Sequence, residues 1–198
     1  MSTTVSACQQ PHDTQHLSSA DIAERLIAAT EQCHVRGVRF TPLRKQIYKL
    51  VLQAKKPVGA YDLITQLQQL RLAETADRTI EVDNREMNSA INNANSRVND
   101  SAKKQSPKNV APPTVYRSLE FLLSEGLIHQ LTSINAYVPC CHPRAEHTAA
   151  FLICDSCLRV QECSSLPVQE IMSFAEQDVG FMVTRSVIEL RGRCQTCH

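Results

Sequence analysis

Residues Pro112–Val138 read PPTVYRSLEFLLSEGLIHQLTSINAYV, and their pattern is the most informative about the fold. The two leading prolines suit the first turn of a helix, and Gly126 suits the end of one. Apolar residues between them recur at the spacing of one helical face: Val115, Leu119, Leu122 and Leu123. Leu127–His129 and Ala136–Val138 then flank Ser133–Asn135, which predicts a short hairpin.

Three more helices are predicted on the N-terminal side of this stretch. Ser18 or Ser19 would cap the first, which reaches about Val35, and Thr41 would cap the second. The third runs over about 60–70. Their predicted inward-facing residues are Ile22, Leu26, Ile27, Thr30, Leu43, Ile47, Leu50, Val51, Leu63, Ile64, Leu67 and Leu70. Three helices followed by a helix and a hairpin describe a winged helix-turn-helix, whose last helix would enter a DNA major groove.

The outer face of that last helix carries the predicted DNA contacts. Thr114, Tyr116, Arg117 and Glu120 all face away from the apolar stripe, and we assign the first three to DNA. The net charge is only +1, but residues 36–70 hold seven Lys and Arg against one acid. A solvated helix face would give the same charge pattern, so the charge alone does not separate the two interpretations.

Two segments are predicted to be irregular. Residues 1–17 are polar and are expected to be disordered. Residues 71–111 hold seven Asn and few large apolar groups, which predicts a polar insertion within the DNA-binding domain of residues 18–139.

The C-terminal part, residues 140–198, changes to a strand pattern. Strands are expected at Thr148–Ile153, Arg159–Cys163 and Phe181–Leu190, with a helix starting at Ser165 between the last two. This predicts a small α/β domain and an α+β fold for the whole chain. The strand faces lack an obvious cover, which favours a partner subunit and hence a homodimer.

Cysteine usage points to metal binding. Seven of the nine cysteines lie between Cys140 and Cys197. No secretory signal and no membrane span is visible, so the expected compartment is the reducing cytoplasm, where disulfides are rare. Two CxxC pairs in this region predict a tetrahedral structural zinc site made of Cys154, Cys157, Cys194 and Cys197. A redox CxxC or inert thiols are the alternatives.

A second group of potential ligands straddles the predicted domain junction. Its members are His129, Cys140, Cys141, His142, His147 and Glu162. A metal held by four of them, His129, Cys140, His147 and Glu162, would fix the angle between the domains and act as a sensor. A thiolate in the set favours zinc over iron or manganese. Cys141, His142 and also His198 remain alternative ligands.

Several motifs, taken together, resemble the ferric uptake regulator family over about residues 20–70 and 112–197. They are RFTPLR at 39–44, AYDL at 60–63, PTVYRSL at 113–119, EGLIH at 125–129, FLICDSC at 151–157 and GRCQTC at 192–197. The segment CCHPRAEH at 140–147 stands where iron and peroxide sensors carry a His-rich motif, and its cysteines resemble the zinc uptake regulator branch.

The resemblance implies a dimeric, zinc-responsive repressor of zinc-uptake genes, with zinc as corepressor and two Zn²⁺ per subunit. Its operator would be an A/T-rich palindrome in double-stranded DNA, contacted by Tyr61 and Arg117 among others. An iron, manganese or peroxide sensor of the same family is the alternative, and a CxxC thiol-disulfide protein is another. No catalytic arrangement is visible, so an enzyme is not expected.

Overall fold

A computed structural model of the chain describes residues 12–13, 17–73, 110–143, 149–163, 168–183 and 186–198. It contains both helices and strands, as predicted for the fold class. In chain order these are β1 (His12–Asp13), α1 (Ser19–Val35), α2 (Pro42–Gln53), α3 (60–73), α4 (Pro112–Ser124), β2 (Ile128–Leu131), β3 (Ala136–Pro139), β4 (Ala150–Cys154), β5 (Val160–Cys163), α5 (Val168–Ser173) and β6 (Ile188–Gly192).

The starts of α1 and α2 are set by side-chain caps, as the sequence predicts. The Ser18 hydroxyl accepts a hydrogen bond from the Asp21 N–H at 3.2 Å, and the Asp21 carboxylate accepts one from the Ser18 N–H at 2.9 Å. The Ser18 hydroxyl also lies 2.7 Å from the Asp21 carboxylate, and hydrogen bonds from this hydroxyl and from the Ser18 N–H lower the pKa of Asp21. The Thr41 hydroxyl caps α2 in the same way, with Pro42 at the first helical position.

The first hydrophobic core lies among the helices and the hairpin. Fully buried side chains come from each of α1 to α4: Cys33, Ile47, Val51, Leu63, Leu67, Val115, Leu119 and Leu122. Two predicted core positions are wrong, because Ile27 is 72% exposed and Leu70 is 40% exposed. Ile27 lies about 100° around the helix from Leu26 and is left facing solvent.

The connection between α4 and the hairpin is a glycine turn. Gly126 has φ +66°, and the Leu127 N–H donates to the Leu122 carbonyl at 2.9 Å, which ends the helix. Strands β2 and β3 then pair antiparallel, with His129 opposite Val138. The turn between them is a 3-10 helix over Thr132–Ile134.

The second unit is a four-stranded sheet with the order β1-β5-β4-β6. Strand β4 pairs antiparallel with β5 and parallel with β6. A second core joins this sheet to the hairpin and is made of Leu131, Val138, Phe151, Ile153 and Val160. The hairpin therefore contributes to both cores and lies between the helices and the sheet.

The C-terminal strand differs from its prediction. Among the described residues it covers Ile188–Gly192, where it pairs with the five residues of Ala150–Cys154. Phe181–Val183 is not a strand, and Phe181 and Met182 are exposed. Strands β4 and β5 lie close to the predicted ranges.

Three further predictions, two about irregular segments and one about a helix start, differ from the structure or fall partly outside the described residues. His12–Asp13 lies in the segment predicted to be disordered but pairs with β5, and a two-residue strand leaves no sequence signal. The insertion predicted at 71–111 is helical over 71–73, and 74–109 lies outside the described residues. The helix expected from Ser165 is described from Val168 onward.

Among the described residues, no helix combines the length and the apolar character that crossing a bilayer requires.

Candidate functional site

Four cysteines meet at one end of the sheet. Cys154 ends β4, and Cys157 follows in the next turn, while Cys194 and Cys197 lie in the turn after β6. Because β4 and β6 are parallel neighbours, their carboxyl ends and the turns after them lie side by side. The Asp155 N–H donates to the Gly192 carbonyl at 2.8 Å and joins the two turns.

The distances within this cysteine cluster fit a tetrahedral metal site. All four Sγ atoms lie within 4.8 Å of one another, and the Sγ atoms of Cys157 and Cys194 are 3.7 Å apart. A tetrahedron with Zn–S bonds of about 2.3 Å has edges of about 3.8 Å. The four residues predicted for a structural site are therefore brought together in the required geometry.

The backbone around the cluster stabilises thiolate. Hydrogen bonds from the N–H groups of Cys157 and Cys194 lower the pKa of Cys154 to about 6, and the Cys194 N–H lies 3.4 Å from the Cys154 Sγ. Sharing hydrogen bonds with Cys194 and Cys157 raises the pKa of Cys197 to about 12. Metal ligation requires thiolate, and the hydrogen bonds around Cys154 favour that form.

A second cluster lies where the hairpin meets the sheet. His129 comes from β2, Cys140 follows β3, and Glu162 comes from β5. Their ligand atoms all lie within 4.8 Å of one another. The Nε2 of His129 is 3.3 Å from a Glu162 carboxylate oxygen, which matches the edge of about 3.3 Å in a tetrahedron with bonds of about 2.0–2.1 Å.

The ionisable groups of this second cluster are buried, so their charges need partners within the cluster. Cys140 is 0% exposed and Glu162 is 2% exposed, a depth at which an unpaired carboxylate is costly. Burial acts to lower the pKa of His129, but hydrogen bonds to Cys140 and Glu162 outweigh it and raise the pKa to about 9. The Cys141 N–H donates to the other Glu162 oxygen at 3.0 Å.

Neighbouring residues hold the ligands in place, and sequence reasoning did not identify them. The ring of Phe151 lies against the His129 ring, with centroids 5.1 Å apart. The Arg25 guanidinium donates to the Cys140 carbonyl at 2.7 Å, although 115 residues separate the two. Phe151 lies in a motif, but its role there is not visible from spacing, and Arg25 carries no sequence signal of this contact.

Three of the four predicted sensor ligands thus lie together, and the fourth, His147, lies outside the described residues. The alternative ligands are placed nearby. The Cys141 Sγ is 3.2 Å from the His142 Nδ1, and the His198 Nδ1 is 3.4 Å from the Cys194 carbonyl. Neither His142 nor His198 joins a cluster of ligand atoms among the described residues.

The predicted DNA-contacting residues are exposed on α3 and α4. Tyr61 is 74% exposed and Tyr116 is 38% exposed, and Thr114 and Arg117 are exposed beside it. The opposite face of α4 is buried through Val115, Leu119 and Leu122. The helix is thereby fixed with its polar face outward.

The known proteins that are similar to this chain agree with one another in their description. No protein-family model matches the chain. The chain is similar to the zinc uptake regulation protein of Escherichia coli (strain K12), with 33% identity over 88% of this chain and 81% of that protein. The zinc uptake regulation protein of Shigella flexneri matches with the same identity and coverage.

Solved structures agree with these relatives. A zinc uptake regulator complexed with zinc and DNA is 31% identical, covers 91% of this chain and 95% of its own, and superposes with a TM-score of 0.65. The crystal structure of holo XcZur is 29% identical, covers 87% of this chain and 96% of its own, and has a TM-score of 0.63.

Proposed function

Because this chain belongs to the zinc uptake regulators, a branch of the ferric uptake regulator family, we propose that it is a zinc-responsive DNA-binding repressor of zinc-uptake genes. The observation that carries the proposal is the cluster of His129, Cys140 and Glu162 between hairpin and sheet. The relatives of this chain are regulators rather than enzymes, and the chain is a regulator too.

Each subunit would hold two zinc ions with different tasks. Cys154, Cys157, Cys194 and Cys197 would hold the structural ion, which ties the turns after β4 and β6 together and adds to folding free energy. His129, Cys140 and Glu162 would hold the regulatory ion, with His147 as fourth ligand. The ion supplies positive charge and tetrahedral coordination there, and zinc serves as corepressor.

The regulatory site would work by joining two units. His129 belongs to the hairpin, Cys140 directly follows it and Glu162 belongs to the sheet, so gathering these ligands fixes the orientation of one unit to the other. Coupling free energies between such sites are typically about 1–3 kcal/mol. Reciprocity then requires DNA to tighten zinc binding by the same factor.

Residues 18–139 would form the winged helix-turn-helix domain, with α4 as the recognition helix and β2–β3 as the wing. Thr114, Tyr116 and Arg117 on α4, with Tyr61 on α3, are exposed where a groove-binding helix needs them. Arginine suits base edges and phosphates alike. The operator would be an A/T-rich palindrome in double-stranded DNA.

Residues 140–198 would form the dimerisation domain of a homodimer. Large apolar side chains on this unit are exposed in the single chain: Ile171, Phe174, Val179, Phe181, Met182 and Leu190. Exposed large apolar side chains are a feature that a subunit interface would cover. A palindromic operator matches the two-fold symmetry of such a dimer, and a cytoplasmic location fits its task.

Metal specificity is the direct test of the proposal. The purified protein would be loaded in turn with Zn²⁺, Fe²⁺ and Mn²⁺ under buffered conditions, and operator binding would be measured by fluorescence anisotropy. Zinc should promote binding at the lowest free concentration, because a thiolate ligand favours it. Stronger promotion by iron or manganese would instead support the other sensors of the family.

A further inference from the structure

A row of three side chains on the sheet faces the hairpin. Phe151 on β4 pairs with Glu162 on β5 and with Glu189 on β6, so all three occupy the same register position on adjacent strands. Residues in register on neighbouring strands point to the same face of a sheet. The row therefore runs from one of the metal ligands to Glu189, two strands away.

Each member of this row contacts the hairpin. Glu162 and Phe151 both contact His129, as described above. Glu189 contacts the hairpin at its turn, through Thr132 and Ser133. The hairpin is thus held at two places, at the metal ligands and at the turn.

The contact at the turn uses both carboxylate oxygens of Glu189. One accepts hydrogen bonds from the Thr132 N–H at 2.6 Å and from the Thr132 hydroxyl at 2.7 Å. The other accepts from the Ser133 N–H at 3.0 Å. Partial burial acts to raise the pKa of Glu189, but these hydrogen bonds outweigh it and lower the pKa.

The two N–H groups are ones that need an outside acceptor. Thr132 and Ser133 begin the 3-10 turn, where N–H groups have no partner within the turn, and the preceding Leu131 provides no side-chain cap. A carboxylate at the start of such a turn makes charge-assisted hydrogen bonds, which are stronger than neutral ones. Glu189 thus caps the hairpin turn from the sheet.

We propose that Glu189 is a positioning residue of the zinc response, which holds the hairpin turn on the sheet so that His129 and Cys140 meet Glu162. The inference rests on the proposed function, because it concerns the assembly of the same site. Without the contact at the turn, part of the free energy of zinc binding would be spent on orienting the hairpin. The protein would then need more zinc to reach the DNA-binding form.

The test compares Glu189→Gln and Thr132→Val with wild type, and Glu31→Gln serves as a control that removes an exposed carboxylate on α1. With the four-cysteine site loaded, zinc affinity of the second site is measured by chelator competition. Operator binding is measured in parallel against free zinc. Co²⁺ absorption reports whether the thiolate and imidazole ligands are still gathered.

Glu189→Gln should weaken zinc binding at the second site roughly 10-fold, as loss of a residue that orients metal ligands commonly does. It should shift the zinc midpoint for DNA binding by a similar factor, while operator affinity at saturating zinc stays unchanged. Thr132→Val, which removes only the hydrogen bond from the Thr132 hydroxyl, should give a smaller shift. The double variant should show less than the sum of the two effects, because both act on one contact.

An unchanged zinc midpoint in Glu189→Gln would overturn the inference, provided that wild type responds to zinc. A loss of melting temperature with zinc affinity unchanged would also overturn it, because Glu189 would then be only structural. If wild type itself binds the operator equally at all zinc concentrations, the proposed function fails first, and that result is distinguishable from the other two.

Discussion

The Nε2 of His129 and a carboxylate oxygen of Glu162 lie 3.3 Å apart across the boundary between the hairpin and the sheet. His129 follows α4, the helix whose outer face carries Tyr116 and Arg117. Glu162 belongs to the sheet that carries the four-cysteine cluster. This pair connects the proposed DNA-binding unit to the proposed dimerisation unit, so a ligand that both side chains share can bias their orientation.

Replacing a structural ligand should cost stability. Cys194→Ser breaks the tetrahedral set, and the lost zinc binding is lost folding free energy. We expect zinc content to fall by one ion per subunit and the melting temperature to fall by roughly 10 °C or more. Gln195→Ala, in the same turn, should change neither; equal melting of Cys194→Ser and wild type would contradict a structural zinc.

Zinc affinity at the second site should depend on pH. Hydrogen bonds to Cys140 and Glu162 raise the pKa of His129 to about 9, so its ring is protonated at neutral pH and the metal must displace that proton. Affinity should rise roughly tenfold per pH unit for each displaced proton, and this contribution should end above about pH 9. Chelator competition from about pH 6.5 to about pH 8.5 measures this dependence, and a flat profile would argue against His129 as a ligand.

DNA affinity should depend on the outer face of α4. Arg117→Ala should weaken operator binding by roughly 1–3 kcal/mol while leaving zinc content unchanged. Arg117→Lys separates two roles: if Arg117 contacts only phosphate, lysine restores most of the affinity, and if it reads a base edge, lysine restores little. Wild-type affinity in Arg117→Ala, measured by anisotropy alongside Glu31→Ala, would remove Arg117 from the interface.

The exposed apolar side chains of the C-terminal unit should mediate dimerisation. Ile171 is 61% exposed on α5, so Ile171→Glu should leave the single chain folded but place a charge in the dimer interface. Analytical ultracentrifugation should show a dimer for wild type and a monomer for the variant. A variant that remains dimeric would place the interface elsewhere.

Much of this structure follows from local sequence. The caps at Ser18 and Thr41 and the glycine turn at Gly126 depend on residues within five positions of one another, so they were predictable. The two CxxC pairs were recognisable by spacing. Their meeting depends on β4 and β6 being parallel neighbours, which the spacing alone does not state.

The contacts that could not be predicted from the sequence join residues far apart in the chain. The Arg25 contact with the Cys140 carbonyl spans 115 residues, and the Glu189 contacts with Thr132 and Ser133 span more than 50. The end of β6 was misplaced because strand length is set by the partner strand and not by apolar content. Ile27 was misplaced because an apolar residue beside a helical stripe is often left exposed.

We infer that Cys140, with His129 and Glu162, makes DNA binding respond to zinc. The most direct test is a titration of free zinc against operator binding for wild type, Cys140→Ser and the neighbouring control Cys141→Ser, with folding checked by melting. We predict that wild type and Cys141→Ser bind the A/T-rich operator steeply as zinc rises, while Cys140→Ser stays folded and binds weakly throughout. Equal binding by wild type and Cys140→Ser at every zinc concentration would contradict the account.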